Sequence, residues 1–227
     1  MQPVLIEAVR GNAEWCDLVC RTHGIDTRFD ADAWVALRRS PPLYPDVVTL
    51  RDGPQATDVL RRVDRSPGCS VKDSVACIDL TSEGFRPLFD AEWIEVPPAS
   101  PAMGSDFVWS AVRTPNELRA WGAVHGGGDV FRPTLLEEPA VAVLVARDAC
   151  DTIVAGVIGH RGDAVVDISN LFSMVPDLDH VWTGAVAAIS AWAPGRRLVG
   201  YERGASLAAA HRAGFASIGA LRVWLSD

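Results

Sequence analysis

The chain has 227 residues, 48% hydrophobic and 22% charged, enough for one large domain or two small ones around a sizeable core. Its formal net charge is −8, and Lys72 is its one lysine. No Lys/Arg block is present to displace counterions, so no nucleic-acid partner is expected. No apolar run reaches the roughly 18 residues of a membrane span. The start "MQPVLIEAVRGNAEW" lacks the charged-then-apolar pattern of a secretory signal, and the five cysteines are scattered. A reduced, cytoplasmic protein with no membrane partner is expected.

Helical spacing predicts helices over 13–22 and 31–38. "SPPLYPDVV" then breaks the chain and leads into a short strand at 47–50. "DGPQATDVLRRVDRS" reads as a turn and a helix carrying Val59, Leu60 and Val63. "CSVKDSVACIDL" is β-rich and "FRPLFDAEWIEV" is mixed. "PPASPAMGS", residues 97–105, is the expected linker between an N-terminal α/β half (1–96) and a second domain (106–227).

Beyond it, 107–113 reads as a strand, and Thr114-Pro115 opens a helix as N-cap and first-turn proline. Strand runs follow at 141–147, 153–160 and 165–173, joined by "DACD" and "RGD", which read as hairpins. Helices are predicted at 181–192 and 205–213, and strands at 198–201 and 217–224. The order predicts an α/β (α+β) fold, a mixed sheet flanked by helices. "VVTLRDGPQATDVLRRV" and "FVWSAVRTPNELRAWGAV" both read strand, proline-bearing turn, helix. The two halves are either related in topology or alike by chance.

Several residue groups carry potential chemistry. Cys16, Cys20 and His23 share a helix face, but no fourth ligand is near, so a buried face is favoured and no metal is expected. Tyr201 and Glu202 end a strand where open α/β sheets place ligands. Glu202 suits a general base if burial raises its pKa; otherwise it pairs with Arg203 or solvent while Tyr201 caps the core. Asn170 in "DISNLF" either bonds substrate or satisfies a strand bulge. "HGGGD" (125–129) lacks the lysine and Ser/Thr of a P-loop and reads as a flexible loop. No G-x-S-x-G occurs.

Two stretches, "LFSMVPDLDHVWTGAVAAI" and "GASLAAAHRAGFASIGALRVW", carry a resemblance to the GNAT acyltransferase superfamily over residues 107–225. The resemblance implies a GNAT-like mixed sheet with a central strand that bulges and splays from its neighbour. It also implies a turn and helix start whose N–H groups hold the CoA diphosphate. Phe172, Ser173, Met174, Thr183 and Gly184 would be the cofactor contacts, and an amine would attack the thioester with help from a general base. His125 would lie where acceptors bind and is the second candidate base.

The sequence departs from the family pattern at several positions. Asp179 stands at the arginine position, His180 and Trp182 at glycine positions, Ala210 at the tyrosine position, and Asn170 where a carboxylate sometimes sits. A weak diphosphate site is therefore expected. One reading is an acyltransferase moving an acyl group from acetyl-CoA, or from an acyl carrier protein's thioester, to a small-molecule amine acceptor. The catalytic candidates are then Glu202, His125, Tyr201 and Asn170. The other reading is a catalytically silent binding or regulatory module.

Overall fold

The computed structural model describes residues 1–98 and 107–227, so 99–105 of the expected linker lie outside the described residues. The chain divides into two units, Met1–Trp93 with Ile218–Asp227, and Ile94–Ser217. The last strand thus belongs with the N-terminal residues.

In the first unit, α1 (Pro3–Thr22) begins with proline at its first turn and buries Leu5, Ala8, Val9, Ala13, Cys16, Val19 and Cys20. Their spacing of three or four residues gives one apolar face. The helix expected at 31–38 is instead β2 (Ala33–Ala36), set antiparallel between β1 (Thr27–Phe29) and β3 (Val47–Thr49). The physical reason is twofold. All four β2 residues are buried, so the strand has no polar face to show a period of two. Asp30, which resembles a helix cap, accepts the N–H groups of Asp32 and Ala33 in a turn that starts the strand.

A five-residue helix, α2 (Ala56–Leu60), connects β3 to β4 (Ser70–Asp73), which lies parallel to β3. The "mixed" stretch is one long strand, β5 (Phe85–Val96). Numbering the last strand β11 (Ala216–Ser226), the order in this unit is β1-β2-β3-β4-β11-β5. Its core gathers Val35, Val47, Leu60, Val71, Leu80 and Trp224.

The second unit begins with β6 (Val108–Ala111) and α3 (Pro115–His125). Thr114 caps α3 as read from the sequence: its hydroxyl accepts the Glu117 N–H while the Glu117 carboxylate accepts the Thr114 N–H. Next come β7 (Val141–Arg147), β8 (Ile153–Arg161) and β9 (Val166–Ser173), joined by the two expected hairpins. Helix α4 (Leu178–Trp192), strand β10 (Leu198–Glu202) and helix α5 (Gly204–Arg212) complete it. β6 through β9 are antiparallel neighbours and β10 lies parallel to β9. Trp182, Ile189, Leu198, Ala210 and Phe215 pack in the core between α4, α5 and the sheet.

Each unit therefore contains a helix, three antiparallel strands, a helix, and a strand parallel to the third. The repetition sets β3-α2-β4 against β9-α4-β10. The echo in the sequence had set β3 and α2 against β6 and α3.

On the α3 face, Gly156 is where β8 passes beneath aromatic rings. A Cβ there would overlap Trp121 Nε1 and the Phe172 ring, and Trp121 is fully buried with its indole N–H held by the Leu144 carbonyl. Gly156→Ala should therefore destabilise the protein by about 1–3 kcal/mol through overpacking. A lower urea midpoint at unchanged m-value would show it.

Candidate functional site

β9 and β10 pair at Val166–Leu198 and Asp167–Val199, yet β9 continues to Ser173 and β10 to Glu202. Gly200 marks the last close approach: a Cβ there would lie 2.6 Å from the Ile168 carbonyl oxygen. Past that point β9 takes in an extra residue. Its register against β8 steps from Ile158–Ser169 to Gly156–Phe172, three residues against two. Asn170 sits in this bulge at φ 55°, a left-handed conformation that Asn tolerates better than most side chains. Its amide donates to Ser169 Oγ at 3.0 Å. Past Asp167–Val199 no further pairing joins β9 and β10, so their C-terminal ends, where α/β sheets bind ligands, part at the bulge.

The first unit closes the equivalent place. Registering Val47–Val71 on Val166–Leu198 sets Asp73 at Gly200 and Val75 at Glu202. There the Ser74 N–H donates to Thr49 Oγ1 at 2.9 Å, stitching the strands, and the buried Asp73 carboxylate draws in the Ile78 N–H at 2.8 Å. Of the two repeats, the second is open.

Glu202 stands at the end of β10, where Gly204 at φ 58° turns the chain into α5. Burial pushes its carboxyl up to about 7; the Ser206 hydroxyl, the Arg203 N–H and the Arg203 charge pull the other way. Ser206 Oγ also accepts the Trp182 indole N–H at 3.1 Å. Trp182 is 1% exposed and meets Phe215 edge to face at 5.4 Å, so it is a core residue.

The helix carrying Trp182 starts at Leu178, about one turn before the expected start near Val181, because Asp177 caps it and accepts the His180 N–H at 3.1 Å. Asp179, His180 and Trp182 therefore lie in the first turns of α4. Thr183 and Gly184 lie beyond its first four N–H groups, inside the helical ladder. The preceding turn is closed on itself. Val175 N–H donates to Ser173 Oγ, Ser173 Oγ–H to the Val175 carbonyl, and Met174 N–H to the Val154 carbonyl. The Met174 side chain is exposed, whereas Phe172 turns toward Trp121.

Asp179 is not the bare charge the sequence suggested. Arg212 of α5 grips it with two bonds, of 2.7 and 2.6 Å, and holds its carboxyl below the usual range. The pair borders a pocket of about 400 Å³ lined by Pro176, Asp177, Leu178, Ala205 and Ala208.

His125 belongs to a different cluster. It stacks on Trp121 at 5.1 Å and meets Phe131 and Phe172 edge-on. Burial lowers its pKa, and its Nδ1 has no hydrogen-bond partner among the described residues. Strand alternation puts Tyr201 on the face opposite Glu202. The structure thus groups Glu202 with Ser206 and Trp182, and His125 with Phe172.

Sequence reading missed Ser206 and Arg212. Nothing local ties Ser206 to Trp182 or Arg212 to Asp179, 24 and 33 positions away. Cys16 and Cys20 are buried in α1, and no group of three or more His, Cys, Asp or Glu side chains poised to hold a metal occurs among the described residues. Nor, among them, is any helix long and apolar enough to cross a membrane.

No family model and no curated protein matches the sequence. Solved structures do. A GCN5-related N-acetyltransferase from Kribbella flavida superposes with TM-score 0.66 at 14% identity, covering 97% of this chain and 95% of that one. A functionally unknown conserved protein from Staphylococcus epidermidis ATCC 12228 gives 0.64 at 13%, over 88% and 92%. A GCN5-related N-acetyltransferase-like protein from Streptococcus suis 89/1591 gives 0.56 at 14%, over 97% and 99%. The likeness extends beyond residues 107–225 to nearly the whole chain, which has the mixed α/β fold of the GCN5-related N-acetyltransferases.

Proposed function

We propose that the protein transfers an acyl group from a thioester to a small amine at the opening between β9 and β10, with Glu202 as general base. The observation that carries this reading is the place of Glu202: β10 runs on to it after its pairing with β9 has ended at Val199, and burial there pushes the carboxyl up to about 7. General-base efficiency peaks when the pKa lies near the working pH. Asn170, at the strand position where a carboxylate would otherwise serve, cannot take a proton. Ala210, fully buried at the tyrosine position, offers none to give.

The donor has two parts, and the residues suit them unequally. A diphosphate needs free N–H groups and positive charge at the start of α4. Here the N–H groups of Met174, Val175, Leu178, His180 and Val181 are already bonded within the protein, Asp177 and Asp179 bring carboxylates, and Arg212 is engaged. The diphosphate does not fit. The parted strands suit a pantetheine arm, so the donor is acetyl-CoA held weakly or a carrier protein's acyl-pantetheine, whose phosphate its own protein covers. A bound thioester would supply the activated carbonyl; the chain's part is to hold the amine near Glu202 and take its proton there.

The self-capped α4 start also favours one competitor, a binding or regulatory module without turnover. The acyl-transfer rate with a pantetheine thioester and a panel of amines separates the two. Under our reading the rate rises with pH through about 7. Glu202→Gln should lower it by about 10² to 10⁴-fold, with His125→Ala much milder. Equal rates in wild type and Glu202→Gln would remove Glu202 from this role.

The same substitution has an opposite effect on stability. The folded pKa of Glu202 is raised from 4.5 to about 7, so the native state holds this proton more tightly than the unfolded chain. That contribution is complete below pH 4.5 and lost as pH rises through 7. Glu202→Gln should match wild type near pH 4 and exceed it above pH 7 by on the order of 2–3 kcal/mol, read from urea unfolding at the two pH values.

Titration calorimetry checks the donor. CoA should bind no more than a few-fold more tightly than dephosphorylated pantetheine. Asp179→Asn, by releasing Arg212, should give a few-fold gain for CoA and none for pantetheine. A hundredfold preference of the wild type for CoA would contradict the closed turn.

A further inference from the structure

The glycine run that follows α3 has no part in the proposed reaction, yet its packing is specific. Gly126 closes the helix at φ 87°, its N–H bonded to the Gly122 carbonyl at 3.1 Å. Gly128, at φ 52°, opens a single 3-10 turn, Gly128–Val130, in which the Val130 N–H donates to the Gly127 carbonyl at 3.1 Å. The run sits against the end of α3 at two places where a side chain would not fit. A Cβ on Gly122 would fall 2.8 Å from the Gly128 carbonyl oxygen. One on Gly127 would fall 2.9 Å from His125 Nδ1 and 2.8 Å from the Phe131 ring.

His125 is thus covered on its Nδ1 side by backbone, and its other neighbours are the rings of Trp121, Phe131 and Phe172. Trp121 cannot yield, being fully buried and bonded to the Leu144 carbonyl. Gly126, Gly128 and Asp129 are exposed, and three successive glycines have no side chain to anchor them. The loop is therefore the wall that can move. Among the described residues Nδ1 has no hydrogen-bond partner. A protonated ring carries N–H on both nitrogens, so Nδ1 would become a charged donor with no acceptor under the closed loop. We infer that residues 126–130 are an acid-released lid, closed over the neutral His125 imidazole and lifted when the protonated ring must reach water. Phe172, on β9 past the bulge, meets the same ring at 5.7 Å, so the lid borders the end of β9. The inference does not depend on acyl transfer.

No charge on the surrounding elements takes over the role of the loop. On α3, Glu117 is bonded to the backbone of its own first turn and Arg119 to Asn116. Asp129, Arg132 and Glu137, which follow the helix, are exposed. β8 and β9 carry His160, Arg161 and Asp167 at the ends away from Gly156 and Phe172, with His160 opposite Asp167. Burial is the one cause that acts on the His125 pKa, and it lowers it from 6.5. The closed form therefore binds the proton more weakly than the open form. Closure is favoured in full above pH 6.5 and weakens as pH falls below it.

The test titrates the full chain labelled at its histidine rings by NMR, with the His125→Phe spectrum identifying the His125 signals. The wild-type midpoint should lie below 6.5, and Gly122→Ala, whose Cβ displaces the Gly128 carbonyl, should bring it up toward 6.5. Hydrogen-exchange protection of the Val130 N–H, corrected for intrinsic rates, should fall about tenfold between about pH 7.5 and 5.5. It should stay level in His125→Phe, which keeps a ring and loses the proton site. A wild-type midpoint at or above 6.5, or one that a folded Gly122→Ala leaves in place, overturns the inference. So does an equal loss of Val130 protection in His125→Phe, which would make the opening a general effect of acid. Should Gly122→Ala not fold, the wild-type midpoint and the exchange comparison decide without it.

Discussion

Two parallel strands that must part after two paired residues set the terms for the rest of the site. Gly200 lets β10 approach the Ile168 carbonyl more closely than any side chain would allow, and the extra residue at Asn170 then bends β9 away. Backbone groups that a continuous ladder would consume are thereby left at the C-terminal ends of both strands. Glu202 and the turn into α5 sit where β10 is released, and the turn into α4 where β9 is released. The repeat in the first unit shows the alternative solution. A threonine hydroxyl and a serine N–H close the equivalent gap, and Val75 stands where the carboxyl would be. Duplicated topology with one stitched and one unstitched gap is why the proposed function is placed in the second unit.

Much of the fold could be read from local signals, because local physics set it. The Thr114-Pro115 cap, the Asp148 and Gly162 hairpin joins and the late helix ending before Gly214 each rest on residues within a few positions of one another. The reading failed where tertiary burial took over. "AWVA" has no polar face because both faces are covered, so neither a period of two nor one of 3.6 is visible in it. The start of α4 was misplaced because Asp179, His180 and Trp182 were measured against a glycine-rich loop, whereas Asp177 had already begun the helix.

The candidate site divided along the same line. Glu202 was legible from its place at a strand end, and the bulge at Asn170 was one of two readings weighed. Its surroundings were not legible, because they depend on contacts between residues far apart in sequence. Asp179 and Arg212 are 33 positions apart, and Trp182 and Ser206 are 24 apart. Charge counting over the loop alone gives a repulsive turn; with α5 in place Arg212 offsets one of its two carboxylates, and the turn is capped and largely satisfied.

Trp182 connects these observations. At a position where a glycine would leave backbone exposed to a diphosphate, the indole fills the space between α4 and α5 and packs on Phe215. Its one polar atom, buried with the ring, needs an acceptor, since an unmet donor there would cost about 1–3 kcal/mol. Ser206 supplies that acceptor from α5. The residue that stands at the glycine position is thus also the one that ties α4 to α5. Restoring a glycine at 182 to recover CoA binding would open a cavity of indole size and release Ser206 in the same step. On this argument the missing glycine and the packing of α4 on α5 are one arrangement, and changing either changes both.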